Sequence, residues 1–196
     1  MNKALLGCGA VLVLGALVVA VMAGGIYNRL VGLEEGVKSA WAQVENVYQR
    51  RADLIPNLVN TVRGAKDFEQ ETLQAVVEAR SKVGQVSLDG VPSPGQLSQF
   101  QGAQDQLSSA LSRLLVVVER YPELKATEAF RDLQSQLEGT ENRIAVERRR
   151  FNEVAQTFNA ARRKFPAVLF ANLMGFAERP YFESTPGADK PPEVEF

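Results

Sequence analysis

Residues 50–59 of the sequence, RRADLIPNLV, place charged and amide side chains inside an otherwise apolar run. Arg51 takes an inner position of a seven-residue repeat, and Arg80 takes the equivalent position on the next predicted helix. Arginines in a protected interior can bind a small anion through charge-assisted hydrogen bonds. They can instead pair with a carboxylate, and Glu147 lies on the matching inner position of the last predicted helix. Both chemistries stay open at this point.

Pro56 belongs to the same stretch. Because proline has no N–H, the carbonyl of Ala52 loses its helical partner and the helix bends. Asn57 and Asn60 lie beside this point and can supply hydrogen-bond donors. An unpaired buried charge costs too much free energy to persist, so we expect the charged groups to be paired, which sets helix register and partner. The predicted interior polar layer comprises Arg51, Pro56, Asn57, Arg80 and Glu147.

Other chemistry is largely excluded by composition. The 196 residues include no histidine, which removes the commonest general base and most zinc and iron sites. The one cysteine, Cys8, lies in an apolar segment, so an internal disulfide or a cysteine metal cluster is not expected. With 22 basic and 23 acidic residues the chain lacks the basic excess typical of nucleic-acid binding. We therefore expect no catalytic residues, no metal, no cofactor and no nucleic-acid partner.

Seven-residue apolar repeats must position the polar layer. They predict a first helix reaching about Gly64, a second from near Asp67 to Val86, and a third that stops at Tyr121 before Pro122. The last and clearest repeat continues over six heptads. We predict an all-α fold in which an N-terminal transmembrane helix precedes an antiparallel up-down-up-down four-helix bundle. The first repeat is Trp41, Tyr48, Ile55 and Val62, and the last is Phe130, Leu137, Ile144, Phe151, Phe158 and Phe165.

The N-terminal segment from Ala4 to Ile26 is 23 residues long and uncharged, which is long enough to span a bilayer as a helix. A cleaved signal peptide and a lipoprotein site are the alternatives, but the apolar run is longer than a cleavable signal. The flanking charges do not decide the orientation of the span. Small residues recur on one face of this helix and can bring neighbouring anchors together. They are Ala16, Ala20 and Gly24.

Three regions follow from these patterns: an anchor (1–27), a helical bundle (28–176) and a Pro-rich mobile tail (177–196). The bundle ends in a short apolar helix within Phe165–Phe176, which either caps the bundle or touches a membrane.

Several motifs together resemble the LemA family of bacterial membrane proteins, and the resemblance covers nearly the whole chain before the tail. It implies one membrane span after a short N-terminus and an all-helical bundle on the cytoplasmic side of the bacterial inner membrane. It implies no known enzymatic activity and no established cofactor. The motifs are YN (27–28), AW (40–41), RRADLIPNLV (50–59), EAR (78–80), ERYPELKA (119–126), LQSQLEGTENRIAVERRRFN (133–152), FN (158–159) and FP (165–166).

Two functions remain in competition. The first is a non-enzymatic, single-pass membrane scaffold or adaptor that forms a homo-oligomer and presents its bundle to an unidentified protein partner. The second is a bundle that senses a small anion through Arg51 and Arg80. An enzyme is disfavoured because no base is placed beside a nucleophile.

Overall fold

A computed structural model describes residues 2–65, 68–86 and 90–183 of the chain, with side chains from residue 11 onward. The described residues contain helices and no strands, so the all-α prediction is confirmed. The predicted helix start at Asp67, the side chain of Cys8 and residues 184–196 of the predicted tail lie outside the described residues. The helices are α1 (Asn2–Arg63), α2 (Gln70–Gln85), α3 (Pro94–Val118), α4 (Pro122–Lys125), α5 (Glu128–Arg163) and α6 (Ala167–Ala171).

Helix α1 runs through 62 residues without interruption, from the apolar segment into the folded part of the chain. Among the described residues it is the one helix long and apolar enough to cross a membrane. Its most apolar window has a mean hydropathy of 2.1, and none of that window is buried. Burial starts at Leu30, which is 1% exposed. We call residues 30–183 the helical domain.

Helices α1 and α5 form the longest contact of the helical domain and run in opposite directions. The ring of Trp41 on α1 lies 5.5 Å from that of Phe151 on α5, and further along α1, Arg51 contacts Glu141. As residue numbers rise along α1 they fall along α5. The apolar heptads of both helices face each other along this contact, because their repeats match the period of two packed helices.

Helices α2 and α3 make the second antiparallel pair. At one end Arg120 pairs with Glu69, and at the other Lys82 donates to Gln106. The α3 N-terminus is closed by a capping box in which Ser93 and Gln96 hydrogen-bond reciprocally. This cap and Pro94 at the first position explain why α3 begins there.

Side chains of the four long helices fill two cores, one on each side of Arg51. The anchor-proximal core lies around Trp41 and contains the rings of Phe100, Phe151 and Phe158. The anchor-distal core lies around Leu58 and is mostly aliphatic. A polar layer therefore separates two apolar clusters along the length of one helical domain.

The C-terminal part of the domain differs from prediction. Helix α6 covers five residues, and Gly175 has a φ of 82°, a left-handed conformation that ends the apolar segment. Residues 177–183, which composition assigned to a mobile tail, lie on the domain with Phe182 only 6% exposed. The composition of this segment predicted that it is mobile, but composition does not show that side chains of α5 bind it.

Candidate functional site: a polar layer and a bound C-terminal segment

Arg51 is the centre of the polar layer and is 1% exposed. One terminal nitrogen, Nη1, donates to Ser108 Oγ at 2.9 Å and to Glu141 Oε1 at 2.6 Å. The other, Nη2, donates to Gln104 Oε1, and the guanidinium carbon lies 5.1 Å from the centre of the Tyr48 ring. Oxygens of α3 and α5 thus hold an arginine of α1. This arrangement ties three helices at one height.

The carboxylate that pairs with Arg51 is Glu141, not the predicted Glu147. Glu141 is 46% exposed, so the ion pair reaches solvent at one end. Glu147 lies nearly two helical turns further along α5, with its carboxylate 4.0 Å from Arg150. Its Oε2 is buried and makes no hydrogen bond within the described part of the chain. Heptad spacing predicted which face of α5 points inward, whereas the axial offset between α1 and α5 selects the partner.

Arg80 is exposed, in contrast to its predicted interior position. Its Nε donates to the carbonyl of Ala52 at 3.1 Å. That carbonyl is the one from which Pro56 removes the helical donor. Asn57, predicted to supply donors at this point, is exposed. Arg80 therefore satisfies the proline-freed carbonyl of α1 from the neighbouring helix.

Two pockets flank the Arg51 layer. One, of about 590 Å³, is lined by Tyr48, Gln104, Arg80 and Glu45. The other, of about 490 Å³, is lined by Ser108 and Glu141 among others. The first pocket combines a guanidinium with amide and phenol groups, which can bind an anion or a polar ligand.

Burial affects two titratable groups beside the layer. Burial raises the pKa of the Glu45 carboxyl, and the nearby Trp41 side chain partly opposes the increase. Burial also raises the pKa of the Tyr48 phenol, opposed by the nearby charges of Arg148 and Arg51. The neutral form of each group is favoured because desolvation penalises its anion.

The predicted contact face of the anchor is open. Ala16, Ala20 and Gly24 are all exposed on α1. A Cβ added at Gly24 would meet no atom within 4 Å. The face is therefore available to lipid or to a second helix.

The structure adds a site that the sequence analysis missed, formed by two asparagines of α5 seven residues apart. Asn152 binds both backbone groups of Phe182, donating to its carbonyl at 3.0 Å and accepting from its N–H at 2.9 Å. Asn159 does the same for Arg179, at 2.8 and 2.9 Å. One heptad of helix rises about 10.5 Å, close to the span of three extended residues. The matching lengths let α5 hold an extended segment at two points.

Side chains complete this attachment. The ring of Phe182 lies 6.0 Å from that of Trp41 and 5.6 Å from that of Phe151, and the guanidinium carbon of Arg148 lies 4.8 Å from the centre of the Phe182 ring. Arg179 pairs with Glu34 of α1. The sequence signal for this site is the FN pair, which occurs at 151–152 and at 158–159. In each pair an asparagine follows an inner phenylalanine.

Comparisons with known proteins match the greater part of this chain. A sequence profile described as the LemA family matches residues 40–196. Magnetosome protein MamQ 2 of Paramagnetospirillum magneticum is 28% identical over 184 residues, covering 84% of this chain and 67% of that protein. Magnetosome protein MamQ of Magnetospirillum gryphiswaldense is 29% identical over 187 residues, with the same coverage. Protein LemA of Metamycoplasma hominis is 26% identical over 136 residues, covering 69% of this chain and 59% of that protein.

Proposed function

This chain belongs to the LemA family, and from that membership we propose that it is a non-enzymatic, membrane-anchored helical scaffold that self-associates through α1. The observation that carries the proposal is the unburied apolar half of α1, which continues without a break into the two cores of the helical domain. An exposed apolar surface of this size is covered by lipid or by other proteins. A scaffold needs an anchor rigidly joined to a folded domain, and α1 supplies that connection.

The small-residue face of α1 supports self-association in the bilayer. Ala16, Ala20 and Gly24 are spaced four residues apart and are exposed, and a Cβ added at Gly24 would meet no atom within 4 Å. Without large side chains on this face, two backbones can approach closely enough for van der Waals packing.

Crosslinking of the full-length protein in nanodiscs and in mild detergent tests the scaffold. We expect an oligomer that Ala20→Leu or Gly24→Leu shifts toward monomer, because added bulk separates the helices. Val18→Leu, on the opposite side of the same helix, is the matched control and should leave the oligomer intact. A wild-type protein that is monomeric in both environments would remove self-association from the proposal.

The family resemblance supports a bacterial inner membrane location with the helical domain in the cytoplasm. A Cys8→Ser, Val116→Cys protein tests this orientation, since Val116 is 70% exposed on α3. Position 116 should resist a membrane-impermeant maleimide in intact spheroplasts and react after lysis. Labelling before lysis would place the domain on the outer side.

Anion sensing is the second candidate, and it is favoured by the pocket next to Arg80 and by one feature of Arg51. The Nε of Arg51 is buried and lacks a hydrogen bond within the described residues. Inorganic phosphate should then raise the melting temperature of wild type but not of Arg80→Gln, with Arg163→Gln as an exposed control. If phosphate does not change the melting temperature of the wild type, anion sensing is removed and the scaffold is the function that we retain.

A further inference from the structure

The segment at residues 165–176, which we call the C-terminal turn, lies at the height where α1 leaves its apolar half. The rings of Tyr27 and Phe176 are 5.7 Å apart. Ile26 packs against the anchor-proximal core together with Met174. Ala23 and Ile26 are half-buried, whereas their neighbours on α1 are exposed. The turn therefore covers one side of the last helical turn of the apolar segment.

The C-terminal turn has one face toward the domain and one face without cover. Ala171 and Phe176 point inward and are 1% and 5% exposed. Phe165, Leu169 and Leu173 point outward and are 81%, 63% and 85% exposed. Three large apolar side chains this exposed within nine residues of sequence indicate a surface that is covered in the working protein.

The outward face is held in place rather than left loose. Arg162 donates through Nε to the carbonyl of Phe176 at 2.7 Å and through Nη2 to Asn172 Oδ1 at 2.9 Å. The N–H of Phe176 also donates to the carbonyl of Ala171 at 3.0 Å. These bonds close the turn on α5 and present its apolar side chains in a fixed direction.

The residues around the apolar face have the composition of a membrane boundary. Arg163 and Lys164 directly precede Phe165 and are exposed. Arg29 is exposed on α1, two residues after Tyr27. Basic and aromatic side chains are favoured where lipid headgroups meet acyl chains.

We propose that Phe165, Leu169 and Leu173 insert into the headgroup–acyl boundary of the bilayer, as a second membrane contact beside α1. The basic residues then lie among the lipid phosphates. Because α1 is one helix and the contact is off its axis, the pair of contacts fixes how the domain is rotated about α1. The proposal rests on α1 being the anchor of the proposed function.

Site-specific fluorescence on the full chain in nanodiscs tests the insertion. In a Cys8→Ser protein, an environment-sensitive dye is attached through Leu173→Cys, and lipids carry a nitroxide near the top of the acyl chain. Insertion to the depth of interfacial elements predicts roughly two-fold or greater quenching at position 173. The matched control is Val116→Cys, which is also well exposed but lies in the anchor-distal half of the domain, and it should not be quenched.

A third label, at Val18→Cys with a nitroxide deep in the acyl chain, separates the two proposals. Quenching at both 18 and 173 supports the inference. Quenching at 18 alone overturns it and leaves the anchor standing. A dye at 173 that is shielded from water but not quenched by lipid overturns it in favour of a protein cover. No quenching at 18 removes the anchor, and the inference with it.

Discussion

Arg51 illustrates how a buried charge can serve a helical protein without catalysis. Its guanidinium is held by Gln104 and Ser108 on α3 and by Glu141 on α5. A one-turn slip of either partner helix would remove these oxygens and leave the cation unpaired, at a high cost in free energy. The layer therefore specifies helix register more than it adds stability.

Substitution of Arg51 tests this role. Arg51→Leu leaves Gln104, which is 4% exposed, without a partner, and should lower the free energy of unfolding by about 1–3 kcal/mol. The double variant Arg51→Leu with Gln104→Leu should recover most of that loss. Glu141→Gln should cost less than about 1 kcal/mol, because its half-exposed pair is screened by solvent. Urea denaturation of the wild type and the three variants measures these differences. An Arg51→Leu protein with an unchanged free energy of unfolding would contradict the register role.

The raised pKa of Glu45 predicts that the stability of the fold depends on pH. Burial raises the pKa of Glu45 in the folded state, so the ionised carboxylate lowers the free energy of unfolding at pH values above that pKa. This loss of stability is absent at low pH, where Glu45 is protonated in both the folded and the unfolded state. Glu45→Gln should raise the melting temperature at pH 7, and the gain should vanish below about pH 4. Glu78→Gln, an exposed carboxylate, serves as the control. A gain that persists at low pH would assign the effect to the amide itself.

At the scale of the helices, Arg80 of α2 supplies the hydrogen bond that the Ala52 carbonyl of α1 lacks because of Pro56. The pairing of Arg80 with the Ala52 carbonyl predicts coupling between positions 80 and 56. In a Pro56→Ala background the restored N–H competes for that carbonyl, so Arg80→Ala should cost less than in wild type. A double-mutant cycle measured by thermal unfolding should give a coupling of about 0.5–1 kcal/mol. Additive effects would show that Arg80 acts elsewhere.

The attachment of residues 179–183 to α5 gives an element-level prediction with a local readout. Asn159→Ala removes the acceptor of the Arg179 N–H and should speed hydrogen exchange there, with a stability loss of about 1–2 kcal/mol. Asn142→Ala, an exposed change on the same helix, should alter neither. Unchanged exchange at Arg179 would mean that contacts other than those of Asn159 hold the segment.

These elements show what periodicity can and cannot predict. Heptads predicted α1 and α5 and the inward face that carries Arg51, since spacing of apolar residues sets a helix face. The partner Glu141 and the exposure of Arg80 depend on axial offsets between helices, which a repeat does not encode. The packed segment at 177–183 was not predicted because proline and charge lower its average hydrophobicity. It is held instead by the Phe182 ring, by four hydrogen bonds between its backbone and Asn152 and Asn159, and by the Arg179–Glu34 ion pair.

For the whole molecule, the two cores, the polar layer and the apolar half of α1 form one connected body. Helix α1 extends for about 93 Å and remains helical through Pro56 as far as Arg63. The domain thus has no independent joint to the segment we propose as its anchor.

With the apolar segment of α1 as the proposed membrane anchor, this continuity means that a tilt of the anchor is transmitted along α1 to the far end of the helical domain. Arg51 lies 25 residues beyond Ile26, or about 38 Å along the helix axis. A thinner bilayer that tilts the span by roughly 10° would displace the Arg51 layer sideways by about 6–7 Å. A small difference in membrane thickness would then cause a large displacement of the far end of the domain. That displacement would change which neighbouring proteins the domain can contact.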